Sequence, residues 1–106
     1  MMKTYRGART FDGIEVWAEP GGGAPARVLA PRRDLRTFSK NGFEWGFEGA
    51  ESSQLALALL ADALDDDTAI RLSDTFMRRI VANFDNEWEI SEAQVGAAAA
   101  ALDAGG

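Results

Sequence analysis

The 106-residue sequence contains no cysteine and no histidine. Without cysteine there is no disulfide framework, no thiolate nucleophile and no zinc ribbon, and without histidine the commonest neutral-pH base and metal ligand is missing. These two absences exclude enzymes of the Ser-His-Asp and Cys-His types. We therefore expect no catalytic residue, no bound metal and no cofactor, and we expect that the protein is not an enzyme.

The sequence also lacks a hydrophobic run long enough to cross a membrane. Its longest apolar stretch, 55–64, is interrupted by Asp62 and falls well short of the roughly 20 residues that a spanning helix needs. The first residues carry charge with no apolar run behind them, so we expect no secretory signal. The sequence predicts a cytoplasmic protein that does not enter membranes.

Basic residues are few in the second half of the chain. The whole sequence has 11 Lys and Arg against 17 Asp and Glu, a net charge of −6, and residues 51–106 hold eleven of the acidic side chains but only three of the basic ones. Affinity for duplex DNA comes largely from cations that displace condensed counterions. We therefore expect an acidic protein that does not bind duplex DNA directly, although a solvated helix face would produce the same charge bias.

Turn residues and alternating hydrophobicity predict strands between about residues 2 and 48. Asp12-Gly13 fits the centre of a type I′ hairpin turn, and the residues after it alternate between apolar and polar as in a half-buried strand. A brief strand is expected at 27–29, before Pro31. The aromatic segment 42–47 also alternates, which predicts a further strand with its rings on one side.

From residue 52 onward the apolar spacing becomes helical. Apolar side chains recur every four residues over 52–64 and again over 68–84, where Asp66 or Asp67 would cap the second helix. Ser91 and Gln94 fit a capping box for a last helix over 92–102, ahead of Gly105-Gly106. Strands followed by helices predict one α+β domain, 1–106, in which two to three C-terminal helices cover one face of a small antiparallel sheet.

The aromatic segment supplies the first candidate site. Three rings on one strand face normally belong to a core, but Glu44 lies between them, and Gly46 would let another chain approach closely. A buried Glu44 needs a cationic partner, for which we expect Arg36 or Arg6. The alternative is a recognition edge, formed by Glu44, Trp45 and Arg36, that contacts a partner protein.

Clustered carboxylates supply the second candidate site, which consists of Asp62, Asp65, Asp66 and Asp67. Their spacing lacks the alternate ligands, the glycine and the distal glutamate of a calcium loop, so we expect no metal there. The cluster either marks the boundary between two helices or forms a partner-binding surface. In the second case its negative charge would compete with nucleic acid for a positive channel of the partner.

Several segments of the chain match one family in the same order. They are MKTYRG (2–7), DLR (34–36), GFEWGF (42–47) leading to QLALALLAD (54–62), and WEIS (88–91). The chain resembles a family of small proteins from bacteria, plasmids and phages that is classed as a domain of unknown function. The resemblance implies a mobile-element context and no particular activity.

These observations favour a non-catalytic protein–protein interaction protein of a phage, plasmid or bacterial mobile element. Its partner would be a protein, for instance a nucleic-acid-binding defence complex of the host, and its action would be an anti-CRISPR-like inhibition. Two alternatives are open. One is a small-ligand-binding protein or enzyme that uses Glu44, Arg36 and Tyr5, and the other is a nucleic-acid-associated regulator.

Overall fold

The structure is a computed structural model that describes residues 3–104, and it confirms the α+β class. In chain order the elements are β1 (Thr4–Thr10), β2 (Gly13–Glu19), β3 (Arg27–Val28), α1 (Ala50–Ala63), α2 (Asp66–Arg79), β4 (Glu87–Ser91) and α3 (Glu92–Ala104), with a 3₁₀ turn at Val81–Asn83 after α2. Met2, at the start of the predicted strand region, and Gly105-Gly106, beyond the last predicted helix, lie outside the described residues.

The predicted N-terminal hairpin is confirmed, but its turn differs from the one expected. β1 and β2 pair antiparallel from Thr4↔Glu19 to Thr10↔Gly13, so the two turn residues are Phe11 and Asp12. Of the two residues expected at the centre of the turn, Gly13 has a positive φ, of 119°, and Asp12 does not. The expected type I′ turn centred on Asp12-Gly13 is therefore wrong, because the strand pairing extends to Gly13 itself.

The sheet has the strand order β3-β2-β1-β4, and every neighbouring pair is antiparallel. One face is buried against the helices and carries Tyr5, Val16, Ala18, Trp88 and Ile90. Gly7 belongs to this face too, because a Cβ there would overlap the Trp88 indole. The absence of a side chain in the middle of β1 thus makes room for the largest side chain of β4.

The predicted aromatic strand is wrong, since the segment 43–47 contains no strand. Gly42 and Gly46 have positive φ values of 101° and 86°, which break the extended backbone at both ends. The backbone N–H of Glu44 donates to Glu51 (3.3 Å) and that of Gly46 to Val81 (3.0 Å), so these groups bond to helical segments. The sheet is completed instead by β4, which lies outside the region of about 2–48 in which strands were predicted.

Helix α1 is the centre of the core. Its residues from Ser52 to Ala61 are all buried, which requires that neighbouring elements cover it on every side. The sheet contacts it through Tyr5, whose hydroxyl reaches Asp62, while α2 and α3 pack against it from other directions. The irregular segment 29–49 covers the remaining side.

Gln54 of α1 fixes that irregular segment. Its side chain is fully buried. Its Oε1 accepts hydrogen bonds from the backbone N–H groups of Phe38 (2.8 Å) and Ser39 (3.1 Å), and its Nε2 donates to the carbonyls of Pro31 (2.6 Å) and Arg36 (3.1 Å). The amide has two donors and an oxygen with two lone pairs, and all are used. One side chain thus supplies hydrogen bonds that a strand or helix would otherwise provide.

The helix ends are set partly by residues other than those expected. Asp65, rather than Asp66 or Asp67, caps α2 by accepting a hydrogen bond of 2.7 Å from the Thr68 N–H. Helix α2 ends at Arg79 rather than near 84. The chain continues as the 3₁₀ turn, in which the carbonyl of Val81 accepts both from the Phe84 N–H (3.1 Å) and from the Gly46 N–H (3.0 Å).

The start of α3 follows the predicted capping box. The Ser91 N–H donates to Gln94 Oε1 (2.8 Å), and the Gln94 N–H donates to Ser91 Oγ (3.0 Å). Within residues 3–104, every helix is too short or too polar to span a bilayer.

Replacing Gln54 with leucine should strongly destabilise the fold. Leucine fills a similar volume but leaves two backbone N–H groups and two carbonyls without partners, and each such buried group costs about 1–3 kcal/mol. We expect the free energy of unfolding in urea to fall by at least about 3 kcal/mol. Ser53→Ala on the same helix is the control and should change it by less than about 1 kcal/mol. A Gln54→Leu variant as stable as the wild type would show that water satisfies these groups.

Candidate functional site

Glu44 is paired with an arginine, as predicted, but with Arg9 rather than Arg36 or Arg6. Arg9 Nη2 donates to Glu44 Oε1 (2.8 Å) and to the carbonyl of Trp45 (2.6 Å), and its Nη1 donates to Asn86 Oδ1 (2.6 Å). The guanidinium therefore ties the end of β1 to two separate loops. Arg36 is placed elsewhere, 5.8 Å from the centre of the Phe38 ring.

Trp45 is fully buried. Its ring meets Trp88 edge to face, with 5.6 Å between centroids, and Arg9 lies 4.9 Å from the ring centroid on one side. The structure therefore uses Trp45 as core and does not present it at the surface. Phe47, two residues on, is the exposed ring of this segment, with 49% of its area accessible.

A cleft of about 800 Å³ opens beside this segment. It is lined by Arg9, Trp45, Gly46, Phe47, Phe84, Asp85, Asn86 and Glu87. Its cation, Arg9, is already held by three oxygen acceptors, and the buried Trp45 indole N–H has no partner among residues 3–104. The cleft thus presents the carboxylates of Asp85 and Glu87 and an aromatic edge, while its arginine is already engaged.

Asp62 is the most heavily engaged carboxylate of the described chain. Its side chain, 18% exposed, accepts hydrogen bonds from Lys3 Nζ (3.1 Å), the Tyr5 hydroxyl (2.8 Å) and Arg27 Nη2 (2.7 Å). Burial alone would raise the pKa of Asp62, but the hydrogen bonds from Arg27, Tyr5 and Lys3 outweigh it and lower the pKa below its ordinary value. Asp62 therefore ties α1 to β1, to β3 and to Lys3, which directly precedes β1.

Tyr5 is correspondingly held in its neutral form. Burial raises the pKa of its hydroxyl far above the ordinary value, and the hydrogen bond to Asp62 adds to the shift. The three residues of the possible ligand site, Tyr5, Glu44 and Arg36, thus each contact a different partner. Tyr5 bonds to Asp62, Glu44 bonds to Arg9, and Arg36 lies on Phe38.

The other three aspartates of the acidic cluster lie at the start of α2, and all are exposed. Asp65 caps the helix, and the backbone N–H of Thr68 lowers its pKa. Asp66 forms an ion pair with Arg32 (3.3 Å), while Asp67 has no side-chain partner among residues 3–104. No group of three or more acidic side chains in that part of the chain is placed to hold a metal ion.

The sheet face that points away from the helices was not singled out by the sequence. Three cross-strand rows follow from the register: Glu19–Thr4–Ser91, Trp17–Arg6–Glu89 and Glu15–Ala8–Glu87. Trp17 is 36% exposed, and its neighbour Val28 on β3 is 65% exposed. We call this surface the open face.

Arg6 is the cation at the centre of the open face. It pairs with Glu19 (2.6 Å) on one side and Glu89 (2.8 Å) on the other. Glu15 and Glu87 flank the small Ala8 from its two sides, and neither has an ion-pair partner within residues 3–104. A pocket of about 250 Å³ lies here, lined by Arg6, Gly7, Ala8, Trp17, Glu87 and Trp88.

One family model matches the chain over residues 5–101, and its description is "Family of unknown function (DUF6166)". The match spans nearly all of the described residues, so the chain belongs to this family. No curated protein and no solved structure matches the sequence.

Asp62→Asn should destabilise the protein in a pH-dependent manner. The folded-state pKa of Asp62 lies below its unfolded value, so its contribution is present above about pH 4 and is lost as the pH falls through the folded pKa. We expect a loss of roughly 1.5–3 kcal/mol at pH 7, and this difference from the wild type should shrink in acid. Urea unfolding at several pH values measures it.

Asp12→Asn, on the exposed hairpin turn, is the matched control for the loss of one carboxylate and should have little effect at any pH. A difference between wild type and Asp62→Asn that stays constant from pH 7 to pH 2 would contradict an ionised, hydrogen-bonded Asp62.

Proposed function

We propose that this protein is a non-catalytic interaction protein whose open face binds a positively charged surface of a partner protein. The observation that supports this most directly is the pocket over Ala8. Glu87, a carboxylate without an ion-pair partner within residues 3–104, and the Trp17 ring line this pocket. Glu15, which has no ion-pair partner there either, lies on the other side of Ala8 in the same cross-strand row. Carboxylates next to an aromatic ring are the groups that recognise a lysine or arginine side chain.

The composition of the open face fits a protein interface. It carries four glutamates against one arginine, with Trp17 exposed on β2 and Val28 exposed beside it on the edge strand β3. Aromatic residues at the centre of a polar surface are frequent anchors of protein interfaces, and surrounding charges of one sign accelerate association with an oppositely charged partner. The face thus combines an apolar anchor with electrostatic complementarity.

The partnered state of the buried polar residues favours this class over an enzyme. Glu44, Tyr5 and Asp62 are each engaged in scaffold contacts that link strands, loops and helices. A general acid or base must instead reach a substrate with a free proton or lone pair. The open face needs no such group, because its chemistry is recognition of charge and shape.

The partner class that we favour is a nucleic-acid-binding complex of the host. Such complexes hold nucleic acid in channels rich in lysine and arginine, and an acidic face would occupy the same channel. Together with the mobile-element context that the resemblance implies, this leads us to propose an anti-CRISPR-like inhibitor that acts in the cytoplasm. In this proposal the negative charge that competes with nucleic acid is on the open face, and not on Asp62 and its neighbours as expected from the sequence.

The proposal can be tested with two double variants that change the net charge equally. Glu15→Lys with Glu87→Lys reverses charge on the open face, and Asp66→Lys with Asp67→Lys reverses it at the start of α2. We expect the first pair to weaken binding of a decalysine peptide about tenfold or more and the second less than threefold. Calorimetric titration at low and high salt measures both, after circular dichroism has shown that each variant is folded.

Equal weakening by the two double variants would mean that the peptide responds to net charge alone, which would contradict a specific role for the open face. Trp17→Ala provides a further check, since loss of the aromatic wall should weaken binding without any change in charge.

A further inference from the structure

Strand β4 forms one edge of the sheet. Within residues 3–104 it pairs with β1 on one side, and no strand pairs with its other side. The opposite edge, β3, is only two residues long, whereas β4 has five residues. A free edge of this length presents backbone N–H and C=O groups to which another strand can bond.

The register shows which backbone groups face outward. The Glu92 N–H donates to the carbonyl of Lys3 (2.9 Å), so this is a hydrogen-bonded pair. Such pairs alternate along an antiparallel ladder, which directs the backbone groups of Ile90 and Trp88 toward β1 and those of Glu87 and Glu89 outward. The Ser91 N–H agrees with this pattern, because it bonds to Gln94 rather than to β1.

The outward-facing backbone groups belong to the same residues that make the open face acidic. The side chains of Glu87 and Glu89 are exposed and lie on the open face, in the rows of Ala8 and Arg6. A second copy of β4 paired antiparallel at this edge would bring glutamates of both copies together, and like charges opposite one another destabilise a strand pair. The charge therefore disfavours self-pairing and favours a basic strand.

We propose that a basic, extended segment of the partner protein adds to the sheet as a fifth strand, antiparallel to β4. Its lysine or arginine side chains would lie opposite Glu87 and Glu89 on the open face, and their own backbone N–H groups would bond to the β4 edge. Antiparallel addition continues the pattern of the whole sheet. This inference rests on the proposed function and specifies how the acidic face engages its partner.

The geometry is tested with three peptides of identical charge. The probe is the acetylated and amidated heptapeptide Lys-Val-Lys-Val-Lys-Val-Lys. In one derivative the backbone nitrogens of the internal lysines are methylated, and in the other those of two of the valines. Opposite a glutamate, the lysine N–H points at β4 and the valine N–H points away. We expect lysine methylation to weaken binding at least tenfold and valine methylation to change it less than threefold.

Amide resonances of the protein give the second readout. Addition of the unmethylated peptide should slow hydrogen exchange at Glu87 and Glu89 more than at Asp12 in the hairpin turn. Equal binding of all three peptides, with weakening by the open-face charge reversal, would overturn strand addition and leave the proposed function standing. No binding of the parent peptide, or no sensitivity to that charge reversal, would count against the proposed function itself. Stronger loss on valine methylation would refute the antiparallel arrangement.

Discussion

The fully buried amide of Gln54 is the interaction on which the arrangement of this chain depends. The segment 29–49 makes up about a fifth of the described residues and contains no strand or helix, yet it covers one side of the central helix. Backbone groups in such a segment must still find partners, and Gln54 bonds to four of them. Because the segment is fixed in this way, Glu44 lies next to Arg9 and Trp45 packs against the Trp88 ring.

Much of the fold was predictable from local pattern, and the failures have a common origin. The hairpin, the three helices and the capping box at Ser91 follow from turn chemistry, apolar spacing and side-chain capping, which act over a few residues. The aromatic segment 43–47 alternates like a strand, but Gly42 and Gly46 take positive φ values, and the N–H groups of Glu44 and Gly46 bond to α1 and to the turn after α2. Alternation alone did not show that tertiary contacts would decide this segment.

The candidate site was less predictable than the fold for the same reason. The alternation of Glu15, Trp17 and Glu19 marked the side of β2 that belongs to the open face, but Glu87 and Glu89 come about seventy residues later. Only the pairing of β4 with β1 shows that the two sets share a surface. In the same way, the sequence indicated that Glu44 needed an arginine. It did not identify Arg9, because this pairing depends on where the end of β1 lies in the folded chain, and no local rule specifies that position.

The pairing of β1 with β4 also constrains how the chain reaches its folded state. Thr4 pairs with Ser91, so the sheet closes across nearly the whole described chain, and such non-local closure slows folding. During synthesis the hairpin and the first helices can form from contacts between residues that are close in sequence. One edge of β1 stays unpaired until β4 has been synthesised. An unpaired strand edge of this kind is prone to aggregate. A chain truncated before β4 would therefore lack that strand and would also expose an unpaired, aggregation-prone edge on β1, its central strand.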